Sequence, residues 1–84
     1  MKVDELKVLD LIIADIESAK RLPGFKKFED LIKRLGFEMA RLYRKVACDA
    51  GLAEKRNKTA HSPAGMTWTH EARELRRQKR IKPK

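Results

Sequence analysis

The stretch Phe25-Lys26-Lys27-Phe28-Glu29-Asp30-Leu31-Ile32-Lys33-Arg34-Leu35-Gly36-Phe37-Glu38-Met39-Ala40-Arg41-Leu42-Tyr43-Arg44-Lys45-Val46 decides how this chain is read. Phe25, Phe28, Ile32, Leu35, Met39, Leu42 and Val46 follow one another at alternating steps of three and four, a heptad seam. The seam keeps its phase through Gly36, and a helix tolerates one glycine at a cost of about 1 kcal/mol relative to alanine. The pattern predicts one continuous helix about 39 Å long. Gly51 would close it as a left-handed C′ residue, with Leu52 folding back on Ala47.

Upstream, Leu6, Leu9, Ile13 and Ile16 are spaced three, four and three, and Val8 and Ile12 widen the stripe. This predicts an amphipathic helix over residues 3–20, with Asp10, Asp15 and Glu17 largely outside its apolar face. Arg21-Leu22-Pro23-Gly24 then reverses the chain, so the two helices are expected to form an antiparallel hairpin. The first helix, about 27 Å long, is the shorter. It leaves Met39, Leu42, Tyr43 and Val46 uncovered, and these four residues are the expected interface of a homodimer, because a two-helix hairpin is too thin to be stable alone.

Downstream, residues 53–68 read as a polar, basic linker containing Pro63 and Gly65, with Met66 near its end and Trp68 expected to anchor it to the core. Thr69 is the expected N-cap of a short helix that carries Glu71 and Glu74 early and cations late. Arg73, Arg76, Arg77, Arg80 and Lys84 recur on one face of it, and only Ala72 and Leu75 are apolar. The expected fold is therefore all-α: residues 1–52 as a helical hairpin and dimerisation region, residues 53–84 as a basic linker and C-terminal helix.

Eighty-four residues make one domain, and their net charge of +9 is unevenly placed. Residues 1–50 hold eleven Lys/Arg against nine Asp/Glu, whereas residues 51–84 hold ten against three. Such an excess attracts a polyanion through counterion release. Cys48 is the single cysteine, which excludes an intrachain disulfide and points to a reducing compartment. Asp4 and Glu5 follow Met1 where a leader would be basic and then apolar, and no apolar run is long enough to span a bilayer. The expected location is the cytoplasm, without membrane contact. Cys48, His61 and His70 are too widely spaced for a zinc pattern, no base stands beside Cys48, and no glycine-rich phosphate loop is present. Neither a metal, a cofactor nor an enzymatic activity is expected.

These features predict a non-enzymatic nucleic-acid-binding protein, a regulator or nucleoid-type protein that takes duplex DNA with low sequence specificity. Arg73, Arg76, Arg77, Lys79 and Arg80 would contact phosphates, supported by Lys55, Arg56 and Lys58, with Arg41, Arg44 and Lys45 as second-rank candidates. Phosphate contacts position a protein without reading sequence. The alternative is an adaptor or inhibitor with an acidic protein partner, which an exposed apolar patch around Met39, Tyr43 and Met66 would mark.

Two families enter through particular residues. Leu31-Ile32-Lys33-Arg34-Leu35-Gly36-Phe37, followed by Leu42-Tyr43-Arg44-Lys45 and Gly51-Leu52, resembles a Fis-type helix-turn-helix. That resemblance implies a turn at Gly36, with Glu38 to Cys48 in the major groove. Ile32 stands where such a motif usually has a small residue, and neither Ser nor Thr starts the second helix. Glu5-Leu6-Lys7-Val8-Leu9-Asp10 and Phe28-Glu29-Asp30-Leu31-Ile32-Lys33-Arg34-Leu35 are similar to the first helices of the H-NS family of nucleoid-associated proteins. Pro63-Ala64-Gly65-Met66-Thr67-Trp68-Thr69 is similar to the segment that opens that family's DNA-binding module. This second resemblance implies self-association and DNA binding. The family follows its tryptophan with a Gly- and Arg-containing loop, whereas His70-Glu71-Ala72-Arg73 follows here, so no DNA-reading residue is carried over.

Overall fold

A computed structural model describes residues 3–80, apart from the side chains of Lys79 and Arg80. Val3–Ser18 forms helix α1, in which Val8, Ile12 and Ile16 recur every four residues and are fully buried. The buried stripe is rotated from the expected one: Leu6 is exposed, and Leu9 and Ile13 are half-buried. After the break at Arg21–Gly24 come strand β1 (Lys26–Lys27), helix α2 (Phe28–Leu35) and helix α3 (Phe37–Asp49). Strand β2 (Ala53–Arg56), strand β3 (Gly65–Trp68) and helix α4 (His70–Arg80) complete the described chain.

The fold is thus mixed α and β, not all-α. The strands form one antiparallel sheet in the order β1-β3-β2. β3 is the central strand, with Gly65, Met66 and Trp68 buried, and it was hidden in the supposed linker because four residues are too few to display a period. Gly65 faces Lys27 on one side and Arg56 on the other. A Cβ at Gly65 would run into the Lys26 carbonyl oxygen and the Phe25 ring, so the close approach of β1 requires glycine. β2 is an edge strand with a single buried residue, Ala53, and so reads as polar coil. Beyond the Arg56–Gly65 pair, residues 57–64 loop out as an exposed wing. The Thr59 hydroxyl closes its tip by accepting the backbone N–H groups of His61 (3.3 Å) and Ser62 (3.0 Å).

The continuous second helix is also overturned. Gly36 has φ 88° and ψ 162°, a conformation essentially reserved for glycine, and it separates α2 from α3. Its N–H still donates to the Ile32 carbonyl (2.7 Å), and its own carbonyl accepts the Ala40 N–H (2.9 Å), so it terminates one helix and starts the next. The heptad spacing belongs to two short helices in succession. Their buried positions are Leu31, Ala40, Tyr43, Val46 and Ala47, and Phe28, Ile32, Leu35 and Leu42 are half-buried.

Tyr43 and Val46, expected at a dimer interface, lie inside this one chain at 0% and 1% exposure, covered where α3 meets α1, α2 and β2. Of that foreseen interface only Met39 is exposed, and Leu42 is half-buried. The end of the second helix is therefore covered without a second subunit.

Three local expectations agree with the structure. Gly51 closes α3 with φ 76°, and the Leu52 and Gly51 N–H groups donate to the Ala47 (2.9 Å) and Cys48 (3.1 Å) carbonyls in a Schellman cap. Trp68 is buried and anchors β3. Thr69 caps α4: its hydroxyl accepts the Ala72 N–H (3.4 Å) and donates to the Gly51 carbonyl (2.7 Å), tying the start of α4 to the end of α3.

Gly36→Ala distinguishes the observed turn from a continuous helix, in which alanine would stabilise. A Cβ at this positive φ is expected to lower unfolding free energy by about 1–3 kcal/mol in urea titration.

Candidate nucleic-acid interface

α2 and α3 are joined at Gly36, and the face that α3 presents follows from what it buries. Ala40, Tyr43, Val46 and Ala47 bury the inner face. At 3.6 residues per turn, Glu38, Arg41 and Lys45 project on the opposite side, where Glu38 and Arg41 are exposed and the Lys45 side chain is 61% exposed. A cleft of about 850 Å³ runs along this outer face, from Asp4 of α1 to Lys55 of β2. Arg41, Arg44 and Lys45 line it together with Glu38 and Asp49, over Met39, Leu42 and Cys48.

Asp15 of α1 fixes how α3 sits. Its carboxylate accepts two hydrogen bonds from the Arg34 guanidinium of α2 (2.8 and 2.9 Å) and one from the Tyr43 hydroxyl of α3 (2.7 Å). Burial pushes the Asp15 carboxyl up, but the Arg34 and Tyr43 hydrogen bonds and the Arg34 charge outweigh it and hold the group below its usual value. The Tyr43 phenol goes the other way, raised by burial and by donating to that carboxylate, and stays protonated. Asp15 thereby joins three helices at one point.

Aromatic rings organise the cations at the turn. The Phe28 and Phe37 rings, which open α2 and α3, meet edge to face at 6.1 Å and 76°. The Arg44 guanidinium lies 4.5 Å from the Phe28 ring centre, and that of Arg41 lies 5.7 Å from the Phe37 ring centre. Lys45 donates to Glu5 of α1 (3.0 Å) and lies 3.8 Å from Asp49. The Glu5 hydrogen bond raises its pKa, so the amine stays charged. Cys48 is half-buried, and burial pushes its thiol up, which makes it a poor nucleophile at neutral pH.

The expected basic residues separate into groups. Lys55, Arg56 and Lys58 are exposed on β2 and the wing, with Arg56 lying 3.8 Å from Glu54. Of the basic residues foreseen on α4, Arg73 and Arg77 are exposed and Arg76 is half-buried. Arg76 donates to the Ala19 carbonyl (2.7 Å) and to that of Lys20, and Arg73 reaches the Leu22 carbonyl (3.5 Å), so both tie α4 to the segment that follows α1. Arg77 pairs with Glu74 at 3.3 Å, its side chain largely exposed. The side chains of Lys79 and Arg80, and Lys84 altogether, lie outside the described residues. Among the described residues no three His, Cys, Asp or Glu side chains converge on a possible metal position, and no helix is long and apolar enough to cross a membrane.

Reading the sequence missed Asp15, Phe28 and Phe37 as organising residues. Asp15 gave no signal, because its partners are 19 and 28 residues away. The two phenylalanines did give one, in their positions on either side of Gly36, but both were absorbed into the helical pattern. No protein-family model, curated protein or solved structure matches the chain.

Asp15→Ala leaves the buried Tyr43 hydroxyl unpartnered and is expected to lower stability at pH 7 by about 1–3 kcal/mol. Because the folded pKa of Asp15 is depressed, its contribution is complete above the unfolded value and fades as pH falls below about 4. Melting temperature against pH should therefore drop less steeply below pH 4 in the variant.

Proposed function

We propose that this chain binds duplex DNA, laying the outer face of α3 in the major groove while the wing rests on neighbouring phosphates. The observation that carries the reading is the cleft in which Arg41, Arg44 and Lys45 of α3 and Lys55 of β2 outnumber Asp4, Glu38 and Asp49. In a helix-turn-helix the second helix enters the major groove, which in B-form DNA is about 12 Å wide and admits an α-helix. The deep, narrow major groove of duplex RNA does not, so DNA is the better ligand. Arg56 at the end of β2 and Lys58 on the wing add further exposed cations. The leading role thus moves from α4, where Arg73 and Arg76 hold the fold, to α3 and the wing. On this reading the protein is a non-enzymatic DNA-binding regulator acting in the cytoplasm.

The rival, an adaptor for an acidic protein, has in its favour the exposed Val3 and Leu6 of α1. The patch it called for around Met39, Tyr43 and Met66 does not form, since Tyr43 and Met66 are fully buried.

The test is fluorescence anisotropy with labelled duplex DNA, duplex RNA and single-stranded DNA across a salt series. Duplex DNA should bind best. Lys55→Gln combined with Lys58→Gln should flatten the log–log salt slope by about 0.9 for each phosphate that is no longer neutralised. An unchanged slope and affinity in the double variant, or a preference for RNA, would count against the assignment.

A further inference from the structure

Resting on the DNA-binding reading, we propose that Arg41 is the specificity-determining residue, reading a guanine edge in the major groove, and that Phe37 is the residue that positions it.

The three cations on α3 differ in what already holds them. The Arg44 guanidinium lies over the Phe28 ring, and its Nη1 is buried without a hydrogen-bond partner among the described residues. Arg44 lines the cleft, but its guanidinium is committed to the Phe28 ring and partly buried there. Lys45 is engaged by Glu5 and Asp49. Arg41 is exposed on the outer face and forms no ion pair among the described residues; the Phe37 ring is its neighbour. It is the cation whose donors remain available.

Chemistry and place then agree. A planar guanidinium offers two parallel N–H donors that match guanine O6 and N7, a geometry that the point charge of lysine does not reproduce. In a helix-turn-helix the base edges are met by the N-terminal residues of the second helix, and Arg41 lies just over one turn into α3. Glu38, exposed three residues earlier on the same face, repels a fully charged phosphate at this spot more strongly than an uncharged base edge. Phe37 is half-exposed and touches Phe28 edge to face, so its ring sits between Phe28 and Arg41. A guanidinium ordered before binding loses less conformational freedom when it docks. The cations of the wing have no such support and suit phosphates.

Selection from a randomised duplex DNA library, with sequencing of the bound fraction, tests this. The wild type should enrich guanine at one position by about 5- to 150-fold, the discrimination a bidentate pair supplies. Arg41→Lys keeps the charge and should leave the salt slope on non-selected DNA unaltered, while the guanine preference falls below about twofold. Phe37→Leu retains Arg41 and should give an intermediate preference, with circular dichroism reporting the fold. Guanine selection that persists in R41K, or a wild type that binds duplex DNA with no base preference, overturns the proposal while DNA binding stands. A wild type that binds no duplex DNA removes both.

Discussion

The Asp15 carboxylate is the point from which the arrangement of the helices follows. Tyr43 carries its hydroxyl into an interior where the residue is fully buried, and a buried hydroxyl without a partner is costly. Asp15 provides the acceptor, and a half-buried carboxylate in turn needs the paired donors of Arg34. Each group answers a requirement set by another, and the three come from three different helices. Once Tyr43 points at Asp15, the helical repeat turns Arg41 to the outer side of α3, while Lys45 reaches Glu5 nearer the start of α1. The outer face of α3 is therefore a consequence of what is fastened on its inner face.

Gly36 makes that fastening possible. A continuous second helix would put Arg34 and Tyr43, nine residues apart, on opposite faces, where one carboxylate could not meet both. The turn lets α3 cross back so that both donors meet at Asp15. Heptad spacing could not reveal this, because two short amphipathic helices in succession satisfy it as well as one long helix does. The turn nevertheless falls at the glycine that the helix-turn-helix resemblance used for its own turn.

Legibility in the sequence followed the range of the interactions. The Gly51 cap, the Thr69 cap and the burial of Trp68 were readable because each depends on residues close in sequence or on the size of one side chain. The sheet was not. β2 is Ala-Glu-Lys-Arg with one buried residue, and β3 is defined by pairing to β1 and β2 from both sides. The charge asymmetry was visible, but not its division of labour. Arg73 and Arg76 look like ligand contacts on a helical wheel, and the carbonyls of Ala19, Lys20 and Leu22 that they meet lie more than fifty residues earlier. What remained for the site was the shorter set on α3 and the wing, which the sequence ranked below or beside the tail.

If α3 and the wing form the DNA surface, α4 is a structural strut. Backbone amide NMR of the labelled protein, recorded while duplex DNA is titrated in, tests this residue by residue. Shift changes should concentrate at residues 37–49 and 55–62, with residues 70–76 little affected. Changes confined to α4 would contradict the assignment.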